Sequence, residues 1–78
     1  MSDYLELTGQ MQRTLRRNGH SDLARRISRA IAGGKSESEV IDRVSLVLER
    51  IKQENSGSYR LIRKESTYFF RFYNNLWA

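Results

Sequence analysis

Apolar residues recur at every third or fourth position through the first 54 residues of the chain. This spacing puts them on one face of a helix. The pattern predicts amphipathic helices over residues 3–17 and 22–32, and a third that follows an N-cap at Ser36 and ends near Glu54. The predicted inner faces contain Tyr4, Leu7, Met11 and Leu15 in the first helix, Leu23, Ala24, Ile27, Ala30 and Ile31 in the second, and Val40, Ile41, Val44, Val47, Leu48 and Ile51 in the third.

Two glycine-containing pairs mark where the first and second helices end. Asn18-Gly19 follows the first helix and Gly33-Gly34 follows the second. Glycine adopts the left-handed conformation that commonly terminates a helix. We therefore expect a left-handed glycine after each of these helices.

The starts of the second and third helices carry capping signals. Ser21 is the predicted N-cap of the second helix, because a serine oxygen can accept a hydrogen bond from a free backbone N–H there. Ser36 and Glu39 have the spacing of a capping box. The start of the third helix is therefore the best specified of these helix ends.

The last third of the chain has a different pattern. Residues 59–63 and 67–73 alternate polar with apolar side chains and are rich in aromatic residues. Joined by Lys64-Glu65-Ser66, they predict a two-stranded antiparallel β-hairpin. The alternative is a C-terminal aromatic helix, since a second set of residues has helical spacing: Tyr68, Phe69, Phe72, Tyr73 and Leu76.

The expected fold is α+β, with three amphipathic helices packed on the C-terminal hairpin. An isolated hairpin is unstable in water, so its apolar face needs the helices. The alternative is a mostly α fold. Seventy-eight residues form one domain, residues 1–78. No apolar run approaches the ~18 residues of a membrane span, so we expect a soluble, cytoplasmic protein.

Basic residues are concentrated in the first half of the chain. The net charge is +5, and residues 10–35 contain seven basic residues and one acid, Asp22. Such a concentration favours an anionic partner, with nucleic acid first. The predicted nucleic-acid-binding residues are Arg13, Arg16, Arg17, Arg25, Arg26 and Arg29 on the first two helices, and Arg60, Lys64 and Arg71 on the hairpin. The competing interpretation is that these arginines lie on solvated helix faces.

The order helix, helix, helix, ribbon is also that of a winged helix. Its third helix would have to enter the DNA groove. Residues 36–56 contain five acids and three basic residues, and phosphates repel such a surface. We therefore expect any DNA contact on the second helix and the ribbon.

Aromatic residues near the C-terminus support a second hypothesis, a protein-interaction module that acts as an adaptor, inhibitor or regulator. Phe69, Tyr73 and Trp77 are the predicted anchors on an acidic partner protein, because aromatic residues dominate binding hot spots. The exposed edge of the ribbon could also pair with a second copy and form a homodimer.

Candidate catalytic groups are few. The chain has one histidine, His20, and no cysteine, and no set of metal ligands can be assembled around that histidine. We expect a non-enzymatic binding protein without a metal or cofactor. In size, charge and lack of motifs it resembles, in a general way, small accessory proteins of phages and other mobile elements.

Overall fold

Four helices make up the chain in the computed structural model, which describes the backbone of residues 4–77 and the side chains of residues 4–75. They are α1 (Tyr4–Arg17), α2 (Ser21–Gly33), α3 (Glu37–Glu54) and α4 (Ser56–Trp77). Over residues 4–77 there is no β-strand. The first three helices follow the predicted spans closely, and the predicted α+β fold is wrong.

The helices form a closed ring in which each packs on its neighbour in sequence and α4 packs on α1. At one end, the α1–α2 turn meets the start of α4 through a hydrogen bond between His20 Nε2 and Ser58 Oγ of 3.2 Å. We call this the His20 end. At the other end, the rings of Tyr4 and Phe72 lie edge to face with centroids 6.5 Å apart. With such short connections the chain runs up, down, up and down.

The core lies along the axis of this bundle and receives side chains from all four helices. The predicted inner faces of α1, α2 and α3 supply most of it, and α4 adds Ile62 and Phe69. The apolar side chains with no accessible surface are Met11, Leu15, Ala24, Ile27, Val44, Leu48, Ile51, Ile62 and Phe69. Phe69 is the largest of them, so α4 is integral to the core.

The predicted hairpin is replaced by one continuous helix, α4. Ile62, Ser66 and Phe69 follow one another by four and three residues, and all three are fully buried. The predicted hairpin would have placed Ser66 in the connection between the strands, whereas the helical period brings all three residues to one inward face. A helix also satisfies its own backbone groups and leaves no unpaired strand edge. The helical spacing over residues 68–76 is the one adopted, and the helix begins already at Ser56.

The buried Ser66 hydroxyl has a specific partner within α4. Its Oγ lies 2.6 Å from the hydroxyl oxygen of Tyr59, two helical turns earlier. A buried hydroxyl without a partner would be costly, so this hydrogen bond makes a serine acceptable inside the core. It also fixes the Tyr59 ring against the side of its own helix.

The two glycine pairs end their helices differently. Gly19 has φ of +83°, and the amides of Gly19 and His20 donate to the carbonyls of Arg16 and Leu15, which is a Schellman motif. The left-handed prediction is confirmed there. It is wrong at the second pair, because Gly34 is extended, with φ of −84° and ψ of 139°.

Gly34 is needed for a close approach of the backbone. A Cβ atom there would lie 2.9 Å from both the Cα and the N of Val40, in the first turn of α3. The absence of a side chain lets the turn between α2 and α3 lie directly on the helix that follows.

Capping agrees with the prediction at α3 and departs from it at α2. Ser36 Oγ accepts a hydrogen bond of 3.3 Å from the backbone N–H of Glu39, as predicted. The Glu39 carboxylate in turn accepts from the backbone N–H of Lys35. Ser21 is not the N-cap that we predicted: His20 occupies that position and makes no side-chain cap. His20 binds Ser58 instead, which ties the turn to α4.

We predict opposite effects for alanine at two glycines. Gly34→Ala should destabilise the protein by about 1–3 kcal/mol, because the new Cβ clashes with the α3 backbone. Gly57→Ala is the matched control: it lies in the first turn of α4 with nothing within 4 Å of its Cβ position. That change should stabilise by up to about 1 kcal/mol. Urea unfolding measures both, and equal stability of the two variants would contradict the close approach.

Candidate functional site

The predicted basic residues are all exposed on the bundle surface. Six of them lie on the first two helices and three on α4. They are Arg13, Arg16 and Arg17 on α1, Arg25, Arg26 and Arg29 on α2, and Arg60, Lys64 and Arg71 on α4. The structure distributes them over more than one surface. Two of these surfaces are well defined, one on α4 and one between α2 and α3.

The first surface is a row of cations on the outer face of α4, the α4 stripe, formed by Arg60, Arg63, Lys64 and Arg71. Spacings of three, four and seven residues keep them on one side of the helix. The first three of them border one shallow depression together with Thr67. Glu65, the one acid in the α4 sequence, is half-buried and borders the groove between α1 and α4.

One aromatic ring accompanies the α4 stripe. Tyr68 is 42% exposed, and the guanidinium carbon of Arg71 lies 4.9 Å from the centre of its ring. This is a cation–π contact, worth about 0.5–1 kcal/mol at an exposed site. It holds the Arg71 side chain over the ring and leaves the rest of the aromatic surface accessible.

The second surface is a groove of about 520 Å³ between α2 and α3, the α2–α3 groove. Its rim is charged and its floor is apolar. The residues that border it are Arg26, Arg29 and Ala30 from α2, and Arg43, Leu46, Val47, Arg50 and Glu54 from α3. Four of the eight are arginines, and they come from two antiparallel helices.

Two contacts position the arginines of the groove. Arg26 donates to the Glu54 carboxylate at 3.3 Å, an ion pair whose side chains are 47% and 53% exposed. The Arg43 guanidinium lies over Gly33 at the end of α2, where a Cβ atom would come within 2.9 Å of Arg43 Cζ. The missing side chain of this glycine therefore makes room for the guanidinium.

Sequence reasoning missed three of these cations. Arg43 and Arg50 had been grouped with the acids of α3, because charges were summed over the whole segment. Leu46 lies three residues after Arg43 and four before Arg50, which is the spacing of one helix face. That spacing was the available signal. Arg63 was missed because the alternating strand pattern separated it from Arg60.

The aromatic residues proposed as anchors for a protein partner are not displayed together. Phe69 is fully buried, so its assignment to an interface is wrong: it fills the core. Tyr73 is half-buried, and its ring packs edge to face on Phe70 with centroids 6.1 Å apart. Trp77 lies outside the side chains that the structure describes.

The single histidine of the chain has a structural partner. His20 is hydrogen-bonded to Ser58 across the His20 end. Among residues 4–75, no three or more histidine, cysteine, aspartate or glutamate side chains are grouped so that they could hold a metal ion. In the described part of the chain, no helix has the length and apolar character required to cross a membrane.

In comparisons with known proteins, no protein-family model, curated protein or solved structure matches this chain. A helical bundle by itself carries no function, since one fold supports many activities. The function is therefore argued from the two surfaces.

Alanine substitutions at two neighbouring aromatic residues, Tyr68 and Phe69, test which side of α4 packs in the core. Phe69→Ala should cost about 3–5 kcal/mol, a large part of the stability of a small domain. Tyr68→Ala removes a ring that is 42% exposed and should cost about 1 kcal/mol or less. Guanidinium unfolding followed by circular dichroism measures the difference. Phe69→Leu is a milder change. It should still fold, so its loss of stability can be measured even if Phe69→Ala does not fold. Equal loss in the Tyr68 and Phe69 variants would contradict this packing.

Proposed function

We propose that the protein is a small, non-enzymatic nucleic-acid-binding protein that contacts the phosphate backbone through the α4 stripe. The observation that carries this proposal is the row of four exposed cations, Arg60, Arg63, Lys64 and Arg71. The one acid of α4, Glu65, is half-buried in the α1–α4 groove that Lys64 and Arg71 also border. Cations aligned in this way replace the counterions that are condensed on a polyanion, and the release of those counterions drives binding.

The length of the stripe suits several phosphates at once. Arg60 and Arg71 are eleven residues apart, which corresponds to about 16 Å along a helix. A DNA duplex carries roughly ten phosphate charges over the same distance. Four cations on one side of a straight helix can therefore each face a phosphate without any change in the fold.

Arginines at the His20 end extend this surface. Arg16 and Arg17 lie in the last turn of α1. The hydrogen bond between His20 and Ser58 brings the turn that follows them beside the first turn of α4. Arg60 follows Ser58 by two residues. Arg13, Arg25, Arg26 and Arg29 are exposed on α1 and α2 and add to the net positive charge of the protein.

The composition of the stripe favours nucleic acid over an acidic protein. Protein interfaces depend on apolar and aromatic anchors that become buried. The depression at Arg60, Arg63 and Lys64 contains Thr67 and no apolar side chain. The aromatic neighbour, Tyr68, is exposed beside a cation, an arrangement that suits stacking on an unpaired base.

We predict a steep dependence of binding on salt. Four phosphate contacts correspond to a slope of about −3.6 for the logarithm of the duplex association constant against the logarithm of salt concentration. Arg60→Gln should reduce the magnitude of this slope by about 0.9, and glutamine at all four stripe positions should remove most of the binding. Fluorescence anisotropy with a labelled duplex and a labelled single strand, from 50 to 200 mM salt, measures both effects.

Two controls locate the binding surface. Lys35→Gln removes an exposed cation from the turn between α2 and α3 and should leave the slope unchanged. The double variant Arg43→Gln/Arg50→Gln, in the α2–α3 groove, should also leave it unchanged. Loss of duplex binding in that double variant would assign nucleic acid to the groove. Absence of binding to both probes at 50 mM salt would overturn the proposed function.

A further inference from the structure

The α2–α3 groove has an apolar centre, which the α4 stripe lacks. Leu46 is 61% exposed and is the most exposed of the large hydrophobic side chains described. Ala30 and Val47 lie beside it on the groove floor and are buried and half-buried. A single exposed leucine is ordinary on a protein surface. Leu46 lies between Arg43 and Arg50 on α3 and shares the groove with Arg26 and Arg29 of α2, which is a more specific arrangement.

The rim of the groove has an excess of positive charge. Arg26 and Arg29 line the α2 side, and Arg43 and Arg50 line the α3 side. Glu54 is the one acid that borders the groove, and it is paired with Arg26. Among the residues that the structure describes, Arg29, Arg43 and Arg50 have no ion-pair partner. An anionic group placed here would gain charge-assisted hydrogen bonds from guanidinium groups.

We propose that the α2–α3 groove binds an acidic amphipathic helix of a partner protein. An apolar side chain of that helix would cover Leu46 and Val47, and its flanking carboxylates would pair with the arginines of the rim. This is helix-in-groove recognition, in which apolar anchors provide burial and charges set the orientation. Arg43 and Arg50 are seven residues apart, about 10 Å along α3, so the contact requires at least about two turns of partner helix.

Two other occupants fit the groove less well. A phosphate backbone offers no apolar group to cover Leu46 and Val47. A second copy of this chain could present the exposed Leu5 and Glu6 of α1. The same helix carries three arginines in its second half, and each copy has a net charge of +5, so two copies repel one another.

This inference does not depend on the proposed function. The groove is formed by α2 and α3, whereas the α4 stripe lies on the helix that packs on α1 and α3. Leu46, Arg43 and Arg50 are not among the residues of the stripe. Loss of one activity therefore leaves the other measurable.

The test uses a small panel of fluorescein-labelled 14-residue peptides designed as helices, with leucines spaced by three or four and flanked by glutamates. A scrambled peptide of the same composition accompanies each. Anisotropy at 100 mM salt should show at least one designed peptide that binds about ten-fold or more tightly than its scrambled form. Leu46→Ala and Arg43→Gln/Arg50→Gln should each weaken that peptide by about ten-fold.

Matched variants control for nonspecific effects. Leu61→Ala truncates another exposed leucine, 40% accessible on α4, and should leave peptide binding unchanged. Lys35→Gln removes one exposed charge outside the groove and should change it by less than about two-fold. Circular dichroism confirms folding of every variant, and the exposure of Leu46 makes loss of the fold unexpected.

Several results would overturn the inference. One is a panel in which every scrambled peptide binds as tightly as its designed form, or in which no peptide binds. Another is weaker binding of duplex DNA by the Leu46→Ala variant, which would make the groove part of a nucleic-acid site. A third is a dimer in sedimentation equilibrium that Leu46→Ala dissociates, which would identify the occupant as a second copy.

Discussion

Burial of Phe69 and Ile62 on the inner face of α4 is the constraint on which the rest of this structure depends. A chain of 78 residues without cysteine has no disulfide to stabilise it, so its core must be efficient. The inner faces of α1, α2 and α3 supply most of that core, and α4 completes it by packing on α1 and α3. Once Phe69 and Ile62 point inward, the helical period sends Arg60 and Lys64 outward. The same requirement that closes the core therefore places the cations of the α4 stripe on the outer side of α4.

The limits of sequence interpretation can be seen by comparing α3 with α4. The bounds of α3 could be predicted because it has one apolar stripe and a capping serine, Ser36, whose hydrogen bond the structure confirms. In α4 the aromatic residues satisfy a strand pattern and a helix pattern equally well. Two residues made the strand interpretation attractive: Gly57 resembles a boundary and Ser66 resembles a turn residue. Ser66 is instead fully buried, and its hydroxyl is hydrogen-bonded to that of Tyr59. This burial depends on the packing of α4 against the other helices, which a local sequence pattern does not show.

For the candidate surfaces, too, the sequence predicts which side chains are exposed but not which of them lie together. Exposure of the arginines on α2 was expected, because the apolar residues of that helix occupy the other side. Their grouping was not expected, since it depends on which face of α3 lies beside them. The total charge of residues 36–56 averages the two sides of α3, so the acidic sum concealed the basic face that contains Arg43 and Arg50. Only the pairing of α2 with α3 places these arginines opposite Arg26 and Arg29.

Both surfaces are positively charged, but only the α2–α3 groove combines its charges with an apolar centre. On the α4 stripe the cations have no apolar centre, so phosphate contacts there are electrostatic and weaken steeply with salt. In the α2–α3 groove the apolar centre at Leu46 adds a contribution that salt hardly weakens. The bundle measures 32 by 26 by 21 Å, and charge interactions through solvent decay over about 10 Å at 0.1 M salt. Because α2 lies diagonally across the ring from α4, anionic partners on the two surfaces would influence each other weakly at that salt concentration and more strongly as it is lowered.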